Sequence, residues 1–318
     1  MDRCSSSVTR ALGSAIVLAI FAAGCGGAGS TISIAPVDVV RQAREANSYA
    51  QTTQKLYIAN TAGSVLVYST GSNPTILQTI SNGVPKPGGI WVDNGNDLYA
   101  VNLPGKSQQT SLPEYKPGAT HPFRTIINGI VNCEYVAVDG QRNVYVAGMA
   151  GDSFFLEIYP KGQLSPAQTL TIPHPAAARV SGLAFESNGA LLVGESVYFQ
   201  KGVVYRLAPG SHNFTDLKLQ DATGGTIAVD GPGNLYVGSG SGAGNQIVTI
   251  YPPNSTKPSR KISVQNIIEA LTVDPDGKMY VETGGNGPVQ ISVYPPGGSK
   301  PIQSFVVAGG GGGIALSQ

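Results

Sequence analysis

The chain has 318 residues, a formal net charge of +1 and only 12% charged residues. No run of basic residues marks a nucleic-acid-binding surface, so a nucleic-acid partner is not expected. Hydrophobic residues make up 41% of the sequence, which is enough to build a sizeable core. After the N-terminal segment the only cysteine is Cys133, so the folded part must be stable without an internal disulfide.

The first 24 residues are typical of a secretory signal peptide. Arg3 and Arg10 give a positive start, and residues 11–23 are uncharged and mostly apolar. This run is shorter than the ~20 residues that a membrane-spanning helix needs, and it ends in small residues. We therefore expect residues 1–24 to be removed during secretion across the inner membrane.

The segment ends with the sequence Ala22-Ala23-Gly24-Cys25, which resembles the lipobox of bacterial lipoproteins. The resemblance implies that Cys25 becomes the mature N-terminus and carries a lipid, so that the membrane itself is a partner. Residues 25–53 are predicted to be a spacer, which begins with a flexible glycine-rich tether and either forms a short helix over 37–50 or does not. The expected location is the outer membrane or the cell surface.

From residue 54 onward, a unit of 42 to 47 residues is repeated. Each copy has an apolar segment, which ends in an acidic residue in five copies and in Ser317 in the sixth, and a second segment rich in Tyr and Val. A turn with Gly or Asn joins the two segments in the complete copies. The anchor residues of the second segments are Tyr57, Tyr99, Tyr145, Leu192, Tyr236 and Tyr280. Two more short strands follow in each copy. Four strands in ~40–50 residues are typical of one blade of a β-propeller.

The two ends of the repeat region predict how the ring closes. Residues 54–80 supply only the last three strands of a blade, whereas residues 312–317 match the first strand of the next unit, 88–93. The C-terminal segment should therefore complete the first blade and leave no free strand edge in the ring. The expected fold is all-β, a six-bladed β-propeller over residues 54–318.

The repeated first-strand phrase, the Gly-Asn turn and the Leu-Tyr-Val phrase resemble NHL-repeat propellers. That family includes extracellular binding scaffolds and lactonase-like hydrolases, so the resemblance implies an architecture and leaves the activity open. The sequence favours a monomeric binding or scaffold protein of the cell envelope that is not an enzyme. The alternative is a propeller hydrolase or lyase with its site at the mouth of the central channel.

Candidate ligand-binding residues come from the first strands, which line the channel of a propeller. Five positions before the last residue of each apolar segment, the sequence predicts an equivalent set of Gly88, Glu134, Ser181, Gly224, Glu269 and Gly312. Gluconolactonase-type propellers, which the fold resembles, place metal ligands at this position in three blades. Here only Glu134 and Glu269 are acidic, and they lie in opposite blades, too far apart to share one ion. No metal site and no cofactor are therefore predicted.

The ends of the second strands should lie on the same face of the ring, close to the loop that holds His174 and Arg179. The complete set of candidate ligand-binding residues is Glu134, Glu269, Glu195, Asn102, His174 and Arg179. Because such a mouth is acidic, the expected ligand is a small cationic or polyhydroxy compound, with a protein partner as the alternative.

Four first strands end in an aspartate that could be mistaken for a catalytic residue. These are Asp93, Asp139, Asp230 and Asp274. An aspartate just before a Gly/Asn turn accepts hydrogen bonds from the backbone of that turn. The repetition therefore indicates a structural role, and no catalytic residue is predicted.

Overall fold

The computed structural model describes residues 54–103, 110–129, 131–174, 178–197, 202–222, 224–239, 246–285, 289–309 and 311–318. Within these ranges the chain forms 24 β-strands, arranged in six four-stranded antiparallel sheets. No helix in this part of the chain is long and apolar enough to cross a membrane. The predicted signal peptide, the lipid-bearing Cys25 and the spacer up to residue 53 lie outside the described residues.

The first three blades, each given from its inner to its outer strand, have the following bounds. Blade 1 consists of β24 (Gly311–Leu316), β1 (Lys55–Asn60), β2 (Ser64–Ser69) and β3 (Ile76–Ile80). Blade 2 consists of β4 (Pro87–Val92), β5 (Leu98–Asn102), β6 (Leu112–Tyr115) and β7 (Arg124–Ile126). Blade 3 consists of β8 (Cys133–Val138), β9 (Val144–Ala150), β10 (Ser153–Tyr159) and β11 (Gln168–Ile172).

The remaining three blades follow the same order from the inner to the outer strand. Blade 4 consists of β12 (Ala178–Phe185), β13 (Leu191–Val197), β14 (Val203–Leu207) and β15 (Phe214–Asp216). Blade 5 consists of β16 (Ile227–Val229), β17 (Leu235–Gly238), β18 (Gln246–Tyr251) and β19 (Arg260–Val264). Blade 6 consists of β20 (Ile267–Val273), β21 (Met279–Gly284), β22 (Val289–Tyr294) and β23 (Gln303–Val307).

Blade 1 is built from both ends of the repeat region, as predicted. Strand β24 pairs with β1, with Leu56 opposite Leu316 and Ile58 opposite Ile314. Beyond the strand, the Ser317 hydroxyl accepts a hydrogen bond from the Lys55 amide at 2.8 Å. The pairing gives β1 a neighbour on both sides and so removes the free edge. Both the six-bladed fold and its closure by the C-terminal strand are confirmed.

The turn aspartates have the structural role expected from their repetition. The Asp93 carboxylate accepts hydrogen bonds from the amides of Gly95 and Asp97, both at 2.9 Å, and from the Tyr99 hydroxyl at 3.2 Å. Equivalent backbone hydrogen bonds reach Asp139, Asp230 and Asp274. All four carboxylates therefore join the first strand to the turn, and in blades 2, 3 and 5 they also accept a hydrogen bond from the second-strand tyrosine.

The core is divided into layers between neighbouring blades. At the junction of blades 6 and 1, for example, Leu56, Ile58 and Ile314 pack against Tyr280 and Ile291, all of them buried. Each fully buried aliphatic side chain contributes roughly 1.5–3 kcal/mol relative to its exposed state. Side-chain packing between neighbouring blades therefore holds the ring together. A polar group buried within one of these apolar layers is unusual.

Candidate functional site

Six inner strands surround a central channel that contains a cavity of about 170 Å³. Its lining comes from residues 89–92, 135–136, 181–185, 226–229, 269–275 and 312–318, with Gln54 beside them. Every blade therefore contributes to the wall. Concave sites of this kind are the usual place for small ligands in a rigid scaffold.

One wall of the channel is aromatic. Trp91, the only tryptophan of the chain, packs edge-to-face against Phe185, with ring centroids 6.2 Å apart. The other inner strands carry small residues at the Trp91 position, namely Ala137, Ala184, Ala228, Thr272 and Ala315. Since Trp91 belongs to blade 2 and Phe185 to blade 4, the indole reaches past blade 3. Both rings are only partly buried and so remain available to a ligand.

We call one residue of each inner strand its bulge position, namely the residue five positions before the acidic residue that follows the strand. In blade 1, Ser317 takes the place of the acidic residue. A β-bulge occurs there in five of the six inner strands. In blade 5 the equivalent residue is Gly225, whereas the sequence predicted Gly224. Ile227 pairs with Val237 in blade 5 as Leu183 pairs with Val193 in blade 4, and the bulge position lies two residues before the paired residue in each strand. The prediction was wrong by one residue, because Gly224 lies six residues before Asp230 whereas Gly225 lies five before it.

The bulges direct polar side chains toward the neighbouring strand and the next blade. The Ser181 hydroxyl donates to the carbonyls of Gly194 at 3.1 Å and Gly225 at 2.7 Å. The Glu269 carboxylate accepts a hydrogen bond from the Gly285 amide at 3.1 Å. A side chain at this position can therefore bind protein groups as well as a ligand in the channel.

Glu134 and Glu269 occupy equivalent bulge positions but have different surroundings. Both side chains keep contact with solvent. Glu269 lines the central cavity, whereas Glu134 lines a smaller pocket together with Asn132, Phe154 and Arg179. Partial burial raises the pKa of both carboxyls. The charge of Arg179 opposes this change at Glu134, so the mouth is less acidic in blade 3 than the sequence suggested.

Glu195 and Asn102 do not face an open mouth. Asn102 is buried and donates through its side-chain nitrogen to the Gly83 carbonyl of the preceding loop and to the Ser111 hydroxyl. Asn60, at the same position of blade 1, donates in the same way to the Ala308 carbonyl. A side chain at this position therefore connects its blade to the preceding loop by a hydrogen bond.

A carboxyl group in that position can donate a hydrogen bond only when it is protonated. Glu195 has no exposed surface, and neither of its carboxyl oxygens has a hydrogen-bond partner. Burial raises the pKa of Glu195 to about 8. The predicted ligand residue is therefore enclosed, and its carboxyl is largely neutral at pH 7.

His174 lies after β11, outside any strand, as predicted, whereas Arg179 lies within β12 and not in the loop where the sequence placed it. The imidazole of His174 packs edge-to-face on Phe154, with centroids 4.9 Å apart. Arg179 is exposed and lies in the pocket that also holds Glu134. Of the six candidate residues, the structure thus brings Glu134 and Arg179 together and places Glu269 separately in the channel.

Glu282 is a buried polar residue that the sequence comparison missed. It lies two residues after Tyr280 in β21, where the other second strands carry Ala59, Val101, Ala147, Gly194 and Gly238. It has no exposed surface, and neither carboxyl oxygen has a hydrogen-bond partner. Burial and the nearby charge of Glu269 raise its pKa to about 8. Alignment of the second strands on their tyrosines would have identified it as the one charged residue in a small-residue position.

The carboxyl groups of Glu282 and Glu269 converge on Gly311 of the closing strand. A Cβ atom on Gly311 would overlap Glu282 Oε1 and would lie 2.7 Å from Glu269 Oε2. We call this group, Glu269 and Glu282 of blade 6 with Gly311 of β24, the closing junction. In the described part of the chain, no group of three or more His, Cys, Asp or Glu residues is placed to hold a metal ion.

Comparison with known proteins supports the fold. No protein-family model and no curated protein matches the sequence. A solved structure of a protein of unknown function from Bacteroides caccae is similar at a TM-score of 0.60 and 14% identity, over 84% of this chain and 100% of that one. The WD40 β-propeller domain of Doa1 is similar at a TM-score of 0.52 and 14% identity, over 80% of each chain. At this identity the likeness extends to the propeller fold alone.

Proposed function

We propose that this protein is a lipid-anchored binding propeller of the bacterial cell envelope, which binds a small cationic or polyhydroxy ligand in its central channel without transforming it. The observation that carries the proposal is the channel cavity, which combines an aromatic wall at Trp91 and Phe185 with the open carboxylate of Glu269. A propeller fold is in keeping with a binding or scaffold role.

The two parts of the channel suit one ligand. Aromatic faces attract cations and the C–H faces of sugars, and a carboxylate accepts strong hydrogen bonds from hydroxyl or ammonium groups. Trp91 lies three residues after Gly88, the bulge position of the same strand. This spacing corresponds to roughly 10 Å along the channel. A compound of about that length can contact the indole and Glu269 together. Anions are disfavoured because the Glu269 carboxylate lines the channel and repels them.

Trp91 offers a direct test, because it is the only tryptophan and it lies in the channel. The purified protein is titrated with sugars, polyols, organic amines and, as a negative set, organic acids, while indole emission is followed. We expect a saturable change with a member of the first three classes. Replacing Glu134 and Glu269 together by Gln should weaken that binding at least tenfold, the effect of losing a charge-assisted hydrogen bond.

The matched control for this titration is Glu195→Gln, which changes a buried glutamate outside the channel lining and should bind as the unmodified protein does. If no compound alters the emission, or if the double variant binds unchanged, the channel is not the binding site. Product analysis of the bound mixture separates binding from hydrolysis, since a hydrolase would convert its ligand.

The anchor is tested separately. Mass spectrometry of the protein isolated from its native membranes should find an acylated Cys25 at the N-terminus. Cys25→Ser should release the protein from the membrane fraction. A mature chain that begins beyond Cys25, or one that carries no lipid, would contradict the lipoprotein part of the proposal and leave the channel unaffected.

A further inference from the structure

We propose that the closing junction is a calcium site, in which the carboxylates of Glu282 and Glu269 bind the ion beside Gly311 of the closing strand. The site shares Glu269 with the proposed channel ligand, but it is tested with calcium alone. The observation that points to a bound ion is Glu282, a fully buried side chain whose two oxygens lack any hydrogen-bond partner and are directed toward a second carboxylate.

Burial of an unpaired carboxylate is strongly unfavourable, and buried charges in proteins are normally paired or bound to metal. Glu114, which is also buried, is paired with Arg124 through hydrogen bonds of 2.6 to 2.9 Å. Glu195 is buried without a partner, but burial alone raises its pKa and no second carboxylate contributes. In the part of the chain that the structure describes, no cationic side chain is paired with Glu282 or Glu269. A bound cation supplies the counter-charge that the described residues do not, and it replaces the proton that burial otherwise keeps on Glu282.

The geometry of the two carboxylates suits one hard cation. Glu282 Oε1 and Glu269 Oε2 both lie within 2.7 Å of a single point, the Cβ position of Gly311, so they are separated by at most about 5 Å. Calcium takes oxygen ligands at about 2.3–2.6 Å and tolerates irregular sites completed by carbonyl oxygens and water. An ion midway between the two carboxylates satisfies both distances. Magnesium fits less well because it requires near-ideal octahedral geometry.

Access and space are also provided. Glu269 lines the channel cavity and keeps contact with solvent, so an ion can reach it from the mouth. Gly311 lacks the side chain that would otherwise fill the gap between the carboxylates. Because only two carboxylates contribute, the affinity should be in the weak range of extracellular calcium modules, about 0.1–1 mM.

Thermal unfolding of the purified protein in EDTA and in 10 mM CaCl₂ tests the site. At ten or more times the dissociation constant, the ion should raise the Tm by about 2–6 °C, because it binds only the folded state. Isothermal titration with CaCl₂ should show one site. Glu282→Gln should abolish both the shift and the binding heat. If that variant fails to fold, Glu269→Gln serves instead, since its side chain is exposed.

Glu195→Gln is the matched control, because Glu195 is an equally buried and unpartnered glutamate in blade 4, and it should keep the full calcium shift. The proposal is overturned if 10 mM calcium leaves the Tm unchanged, or if Glu282→Gln keeps the shift. A stability that depends on pH but not on calcium would show that the carboxyl pair holds only a shared proton. None of these results depends on Trp91 emission, so this site and the channel ligand can fail separately.

Discussion

Blade 2 and the closing junction each bury a glutamate, and the two regions handle its charge in opposite ways. In blade 2, the Glu114 carboxylate is 1% exposed and accepts three hydrogen bonds from Arg124 of the adjacent outer strand. At the closing junction, Glu282 is equally buried but has no hydrogen-bond partner, and a second carboxylate approaches it. The first arrangement is complete within one blade, and the second has no partner among the described residues.

The difference lies in what each region joins. Glu114 and Arg124 are ten residues apart in one sheet, so their pairing forms with the blade itself. Glu282 lies in the last blade and meets a strand that returns from the C-terminus to pair with the first blade. A buried polar group that depends on an external ion makes stability at this junction respond to conditions, which an internal ion pair does not.

The largest expected effect comes from removing the closing strand. Deletion of residues 312–318 leaves β1 without its inner partner and exposes unpaired strand edges. The truncated protein should aggregate or lose its cooperative thermal transition, as followed by circular dichroism and light scattering. A truncated protein that melts like the full chain would show that blade 1 is stable without β24.

The second effect breaks the internal pair in blade 2. Arg124→Met leaves the Glu114 carboxylate buried and uncompensated, so the free energy of unfolding should fall by about 3–5 kcal/mol in urea denaturation. The control is the double variant Glu114→Leu with Arg124→Met, which removes the charge as well and should recover most of the loss. An equal loss in both variants would mean that packing, and not charge, holds this pair.

The third prediction concerns Glu195, a buried carboxyl in blade 4 that has no hydrogen-bond partner and does not belong to the closing junction. Burial raises the pKa of Glu195 from 4.5 to about 8, so between these values the folded state holds a proton that the unfolded state has lost. The contribution of Glu195 to stability is therefore full below about pH 4.5, falls as the pH rises toward 8, and stays constant above it. The full change is on the order of a few kcal/mol.

Glu195→Gln removes this dependence. At pH 8 the variant should have a higher free energy of unfolding than the unmodified protein, and at pH 4 this difference should disappear. Urea denaturation across the pH range measures both free energies. Parallel pH curves for the two proteins would show that the Glu195 carboxyl is ionised or hydrated in the folded state. The prediction concerns blade 4 only and holds with or without calcium at the closing junction.

The sequence predicted the fold more completely than the site, and the physical reasons differ. Blade number and closure follow from a repeat of buried tyrosines and turn aspartates, because each copy must solve the same packing problem. The enclosure of Asn102 and Glu195 depends on how a blade meets the preceding loop, which strand alternation does not encode. Glu282 was detectable as a charged residue in a small-residue position, but its approach to Gly311 joins segments that are distant along the chain.

The smallest of these effects tests how closely the closing strand approaches the two carboxylates. A Cβ atom on Gly311 would overlap Glu282 Oε1, whereas one on Gly71 would have no heavy atom within 4 Å, and neither glycine has a positive φ. Gly311→Ala should therefore lower the free energy of unfolding by about 1–3 kcal/mol through overpacking, and Gly71→Ala should change it by less than about 0.5 kcal/mol.

The same pair of variants also sharpens the comparison between the two buried glutamates. In Gly311→Ala the added methyl group occupies the space between Glu269 and Glu282, so the variant should lose its response to calcium, while Gly71→Ala should keep it. Neither variant touches Glu114 or Arg124, so the cost of Arg124→Met should be the same in both backgrounds, because distant sites add independently. A Gly311→Ala protein as stable as Gly71→Ala would mean that the closing strand stands farther from blade 6, and the two carboxyls would then have room for water instead of an ion.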